Sequence, residues 1–390
     1  MGVRLKGNST LAGLTWKGQS KRRSMPGGGR RPEGLPEGFE PPAGFGPPGD
    51  GQQQGPPGGG MFGASLKGEE PEKLPWLISF DEFVEGRRYQ GHSQVAVRPA
   101  AMGSTTLLNE ALGISLVSAS GEPTQRSTYS SFTVNGRSST PRLLVEYLDE
   151  GYAEGLGDGV LYKSLASGSF SYKGEDQTGY ASDFKQVNKV GGKDLQPVID
   201  LVKWVNEASD AEFAEGLADR LDVESFARYL ALQNLMVNFD DMAGPGRNYY
   251  LWYDLNTRKF KVITWDLNFA FNGDAKSGVN DTIGMGFGRG GSQGSTPPEG
   301  GGMMRMGHPL KEKFLKNAKF KKIYEEQYRV LYGKLLGNDT AVGLLDELVT
   351  SYKLNEKADT AKVDAEARTL RTFLQTRTET LRSDKAISGA

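Results

Sequence analysis

Asn238-Phe239-Asp240-Asp241-Met242-Ala243-Gly244-Pro245-Gly246-Arg247-Asn248-Tyr249-Tyr250-Leu251, and after a turn Val262-Ile263-Thr264-Trp265-Asp266, set polar residues at the ends of apolar elements. A helix over 222–238 leads in, with Asp222 as N-cap and Phe226, Leu230 and Val237 on one stripe. The runs Asn248–Tyr253 and Lys259–Trp265 read as a hairpin around Asp254-Leu255-Asn256-Thr257. A hairpin returns the chain, so Asp266 falls beside Asn248 and Asp240. Two carboxylates and an amide, with no cation among them, suit a hard divalent ion held by oxygens. Asp at strand ends and Asn before a strand are also ordinary turn residues.

Working outward, strands are expected at Leu77–Phe80, Val95–Arg98 and Val160–Lys163. A helix is expected over 104–118, capped by Ser104 or Thr105. A second hairpin spans 127–148, with Asn135-Gly136 as its turn. Helices follow over 194–207, 309–336 and 361–383. Strands with one helix come first, then mostly helices with one hairpin: an α+β pattern of two lobes. The expected divisions are 1–25, a strand remnant of the first lobe; 26–65, a disordered Gly/Pro-rich insert; 66–193, strands and a helix; and 194–390, mainly helical with a Gly-rich loop at 284–307. Pro26–Gly63 holds 14 Gly and 9 Pro in 38 residues, too little apolar surface to offset its ordering entropy. Within 284–307, Gly286-x-Gly288-x-Gly290 lacks the spacing of a phosphate-binding P-loop.

Composition removes several chemistries. The chain has 390 residues, with 47 Lys+Arg against 48 Asp+Glu, so it has no basic excess for a nucleic-acid partner. Without Cys there are no disulfides, thiolate metal sites or cysteine nucleophiles. His92 and His308 alone exclude a multi-histidine zinc site. No apolar run is long enough for a membrane span. Val3-Arg4-Leu5-Lys6 alternates like a strand; its abrupt start is either native or the remnant of a longer protein that carried a signal peptide.

The order Asp240, Asn248, Asp266 around a hairpin parallels protein kinases. There a loop Asp accepts the hydroxyl proton, an Asn follows, and a strand-turn-strand delivers the metal-binding Asp. The eight-residue interval from Asp240 to Asn248 is longer than in that motif, and HRD, DFG and VAIK are missing. Taken with Val3–Thr10, Phe80-Asp81-Glu82-Phe83, Tyr89-Gln90-Gly91, Leu144–Asp149 and Leu161-Tyr162-Lys163, the sequence resembles the CotH family, the spore-coat protein H-like atypical protein kinases. The resemblance covers residues 1–18 and 66–273.

It implies an atypical protein-kinase-like two-lobed fold, ATP with Mg²⁺ or Mn²⁺, and phosphate transfer to Ser or Thr of exported, spore-coat or cell-surface proteins. Asp240 would be the catalytic base and Asp266 the metal ligand, assisted by Asn248. Lys163 would hold ATP phosphates, with Glu146 as its partner or a second metal contact. From its residues alone Lys163 reads more readily as a solvated strand-end lysine. Arg98 either binds phosphate or pairs with a carboxylate. Trp265 reads as core beneath the site, and His92 as structural. The alternative function is a non-catalytic coat or surface assembly protein that keeps the fold. A sugar-cleaving pair made by Asp240 and Asp266 has no supporting feature.

Overall fold

The computed structural model describes residues 1–7, 11, 14–20, 66–100, 104–284 and 307–389. The Gly/Pro-rich insert, the Asn8-Ser9-Thr10 end of the opening motif and residues 285–306 of the Gly-rich loop lie outside the described residues.

The first sheet assembles β1 (Gly2–Leu5), β4 (Trp76–Ser79), β5 (Gln94–Val97), β6 (Ser127–Phe132) and β7 (Thr140–Glu146) in the order β1-β4-β5-β7-β6, antiparallel throughout. A two-stranded ribbon, β2 (Thr15–Trp16) with β3 (Gln19–Ser20), lies between β1 and β4 in the chain. The β6–β7 hairpin turns where expected. Asn135 and Gly136 both take positive φ, 51° and 71°, and the Arg137 amide donates to the Val134 carbonyl at 3.0 Å. Two consecutive left-handed residues match the twist of the strands, which is why Asn-Gly is favoured there.

The second sheet runs β11-β10-β8-β9, from β8 (Gly159–Ser164), β9 (Phe184–Gln186), β10 (Tyr249–Asp254) and β11 (Phe260–Thr264). Thus β8 and β9 join the later hairpin and not the strands that precede them in sequence. Alternation gives this sheet two apolar faces. Tyr249, Leu251 and Val262 face the large helical core, while Tyr250, Trp252, Ile263 and Trp265 form a smaller cluster with Leu148, Tyr152 and Leu161.

The helices are α1 (Leu108–Ser120), α2 (Glu150–Leu156), α3 (Gln196–Glu207), α4 (Asp210–Gly216), α5 (Val223–Leu235), α6 (Pro309–Lys316), α7 (Ala318–Leu335), α8 (Thr340–Lys353), α9 (Thr360–Arg382) and α10 (Lys385–Ser388). Helices with antiparallel sheets make the chain α+β, as expected. Asp222 caps α5 by accepting the Ser225 amide at 3.0 Å. Two expectations change. Residues 309–336 form two helices, because Asn317 takes extended φ/ψ and its side chain caps α7 through the Lys319 and Phe320 amides. Ser104 and Thr105 do not cap α1. They and Thr106 bind the Glu366 carboxylate of α9, and α1 starts after Leu107 in a left-handed conformation. No helix among the described residues is long and apolar enough to cross a membrane.

Candidate functional site

The site forms where the chain leaves α5, enters β10 and leaves β11. Tyr249 lies opposite Thr264 in the β10–β11 register. Continuing that register sets Asn248 opposite Trp265, with Asp266 next along. Asp266 then breaks from the strand at φ 55°. Left-handed backbone is uncommon outside glycine, although Asp tolerates it better than most residues. Here it ends the strand and re-aims the chain.

Asp240 is held by a loop fitted around it. Its carboxylate accepts the Gly246 amide at 2.6 Å and the Asn248 side-chain amide at 2.9 Å; the same Asn248 nitrogen reaches the Asp240 carbonyl at 3.1 Å. Gly244 and Gly246 are required by space. A Cβ on Gly244 would sit 2.5 Å from the Asp240 Cα, and one on Gly246 would sit 2.6 Å from Asn248 Nδ2 and 2.7 Å from Asp240 Oδ2. Further back, the Asn238 side chain donates to Gln233 at 2.8 Å and accepts the Asp240 amide at 3.3 Å. Neighbouring Asp241 pairs instead with Lys311 of α6. Burial pushes the Asp240 carboxyl up to about 6; Asp266 and Asp241 add to the rise, against the Gly246 and Asn248 hydrogen bonds.

Asp266 sits among cations. Arg98, just past β5, pairs with it and with Glu110 of α1, at 2.9 Å for the latter. Lys6, just past β1, and Lys163 of β8 lie close enough to act on its charge. Burial would push Asp266 up, but Arg98, Lys6 and Lys163 together hold it below the usual carboxylate range. Glu110 goes the other way: burial raises it, Arg98 opposes, and Asp266 adds to the rise. Helix α1 is seated against the turn that follows Asp266. The Asn109 side chain donates to the Asn268 carbonyl at 2.7 Å, and the Cα of Gly113 packs so closely that an added Cβ would lie 3.2 Å from Leu267.

The two lysines rest on aromatic faces. Lys163 lies opposite Tyr250 in the β8–β10 register. Its ammonium is 5.3 Å from the Trp265 ring centre, 5.6 Å from Tyr250 and 5.7 Å from Tyr147. Lys6 is 5.0 Å from Trp265 and 5.4 Å from Tyr147. Such contacts hold an ammonium without a counter-ion. Trp265 is buried beneath both.

The geometry therefore brings Asp240, Asn248, Asp266, Arg98 and Lys163 to one region. Glu146 is placed elsewhere. Its β7 neighbour Val145 lines the small cavity at Arg98 and Asp266, and alternation turns Glu146 to the opposite face. There it meets His92 at 3.1 Å and Arg126 at 3.3 Å. The helix acid that pairs with a cation of this site is Glu110, which sequence reasoning passed over. Lys6 joins the site from just past β1, a placement that its neighbours in sequence do not announce.

Among the described residues no group of three or more His, Asp or Glu side chains forms a ready metal cage. The donor set still fits a hard ion. Mg²⁺ is commonly held by one or two carboxylates with substrate phosphates and water completing its shell. Asp266 would supply the carboxylate. Asn248 spends its amide nitrogen on Asp240, which leaves its oxygen as the donor for an ion.

Two sequence comparisons bear on this geometry. A model of the family described as CotH kinase protein matches residues 61–381. No curated protein matches the chain at a significant level.

Proposed function

Because the chain belongs to the CotH kinase protein family, we propose that it transfers the γ-phosphoryl group of ATP, with Mg²⁺ or Mn²⁺, to a Ser or Thr hydroxyl of an exported or surface protein. The observation that carries this reading is the contrasting setting of two carboxylates at one hairpin: Asp240 is held by the Gly246 amide and the Asn248 side chain, Asp266 is paired with Arg98, and their carboxyls are accordingly displaced in opposite directions. Groups pushed apart in this way divide the roles of base and charged ligand.

In this reading Asp240 accepts the proton of the acceptor hydroxyl. The hydroxyl oxygen bonds to the γ-phosphorus, the bond from that phosphorus to the β–γ bridging oxygen breaks, and ADP leaves with the bond's electrons. Gly246 and Asn248 fix the base within reach of the hydroxyl. Asp266 and Asn248 would hold the metal ion, which supplies charge neutralisation at the phosphates. Arg98 and Lys163 take up the remaining phosphate charge, as transfer through a loose transition state demands. Glu110 orients Arg98. The β1-β4-β5-β7-β6 sheet would form the nucleotide side, and the helices from 194 onward the acceptor side.

Thermal denaturation with Mn²⁺ and ATP tests the reading, because a ligand that binds only the native state raises the melting temperature. A rise is expected, and the part of it that depends on Mn²⁺ should vanish in Asp266→Asn. No rise at millimolar ATP would favour the non-catalytic assembly protein.

A further inference from the structure

We propose that Glu366 of α9 is a positioning residue: it latches the segment that leads into α1 and so fixes where Asn109 and Glu110 meet the other elements of the site. The inference deepens the kinase reading and rests on it for the step that the latch serves.

One carboxylate accepts hydrogen bonds from three consecutive residues. The Ser104 hydroxyl donates to it at 2.8 Å, the Thr105 amide at 3.0 Å, the Thr105 hydroxyl at 2.7 Å and the Thr106 amide at 3.3 Å, with the Thr106 hydroxyl as a further donor. Hydrogen bonds to a charged acceptor are about twice as strong as neutral ones. Burial would raise the Glu366 carboxyl, but the bonds from Thr106, Thr105 and Ser104 outweigh it and hold the group below the usual carboxylate range.

The backbone beyond the latch shows that this placement is imposed. Leu107 follows at φ 59°, ψ 28°. The left-handed region is strained for a bulky residue and persists only where the surroundings over-determine it. Glu366 fixes the residues before Leu107, and the Tyr129 hydroxyl of β6 donates to the Thr106 carbonyl at 2.8 Å. The Leu107 carbonyl then accepts the Ala111 amide at 3.0 Å, which opens the helix. The first turn of α1 carries the contacts that matter. Asn109 donates to the Asn268 and Ala270 carbonyls at 2.7 and 3.3 Å, and Glu110 pairs with Arg98 at 2.9 Å. A helix is stiff, so a slip at its start moves both residues by about 1.5 Å per residue of slip.

Hydrogen exchange of the full chain, read together with label transfer from γ-labelled ATP, tests the proposal. Glu366→Ala is expected to speed exchange of the α1 amides about tenfold to a hundredfold, the effect of lost charge-assisted hydrogen bonds, and to leave α5 as protected as in wild type. Its kcat is expected to fall about tenfold to a hundredfold, as remote misplacement of a reacting group does. Thr105→Val, which removes one hydroxyl and keeps the side-chain shape, is expected to give smaller changes of the same kind, and it replaces Glu366→Ala if that variant does not fold. Coupling to Glu110 separates positioning from mere support. In Glu366→Ala combined with Glu110→Gln the two losses in kcat are not expected to multiply, because both act through α1. Losses that multiply, α1 exchange that stays unchanged, or exchange that rises equally in α5 overturn the proposal. Transfer intact in folded Glu366→Ala sinks the positioning role and leaves the kinase reading standing. Wild type that transfers no label sinks the kinase reading, while the exchange comparison still decides whether Glu366 seats α1.

Discussion

Asp240 and Asp266 are the same residue type at two ends of one hairpin, yet their surroundings are opposed. Asp240 is wrapped by a glycine loop that offers an amide N–H and a side-chain amide but no full positive charge. Asp266 faces Arg98, with Lys6 and Lys163 nearby. Burial acts on both. At Asp240 neutral donors cannot cancel it, and the carboxyl rises to about 6. At Asp266 the cations do cancel it, and the carboxyl falls. On the proposed reading, one hairpin thereby separates a proton acceptor from a charged ligand: the first is left alone with dipoles, the second is surrounded by charges.

The comparison can be broken from either end. The largest effect is expected at the charged end. Asp266→Asn should lower metal-dependent transfer about a thousandfold or more, since an ion contributes several kcal/mol to the transition state. Its melting temperature should also fall, because Arg98 keeps only Glu110 and the charges of Lys6 and Lys163 lose their nearest carboxylate; rate and melting measured on one preparation, at a temperature where the variant is folded, check both. Next, Asp240→Asn should cost about a hundredfold to ten-thousandfold in kcat, the range for a positioned base. The wild-type rate should also rise with pH through about 6. Below that value the carboxyl holds its proton and cannot take another; above it the base is free. In Asp240→Asn this limb should vanish from the pH profile.

Gly246→Ala sharpens the comparison without altering a charge. The new Cβ would overlap the Asn248 amide and the Asp240 carboxylate. It should destabilise the fold by about 1–3 kcal/mol, as overpacking does, and lower kcat while ATP affinity stays near wild type. Denaturant melts and steady-state kinetics read the two effects. The smallest change is expected from Glu146→Gln. That side chain is turned toward His92 and Arg126, so ATP affinity measured by calorimetry should not move.

Much of the scaffold was legible because its signals are local. The Asn135-Gly136 turn, the Asp222 cap and the alternation of β10 and β11 each depend on a few adjacent residues. The order Asp240, Asn248, Asp266 could be read for the same reason: one hairpin links them. The charge partners could not. Arg98 and Asp266 are 168 residues apart. Glu110 reads as an ordinary first-turn acid until α1 is docked on the turn after Asp266. Lys6 acquires its role only when β1 pairs with β4 and points the following residue at Trp265. Ser104 and Thr105 have good capping chemistry, but Glu366, more than 250 residues away, outcompetes the local amides for them. Glu146 failed for a register reason: which of two neighbours on β7 faces the cavity is set by pairing with β5, and Val145 takes that place. The break at Asn317 was the exception, since an Asn cap lay in plain view within an apolar stripe that read as continuous.

The most direct measurement is transfer of label from γ-labelled ATP to a Ser/Thr-rich acceptor protein in Mn²⁺, run on wild type, Asp240→Asn and Asp266→Asn, each verified as folded. The account predicts acid-stable label on Ser or Thr with wild type and almost none with either variant. Folded wild type that transfers no label, or transfer that survives both substitutions, would contradict it.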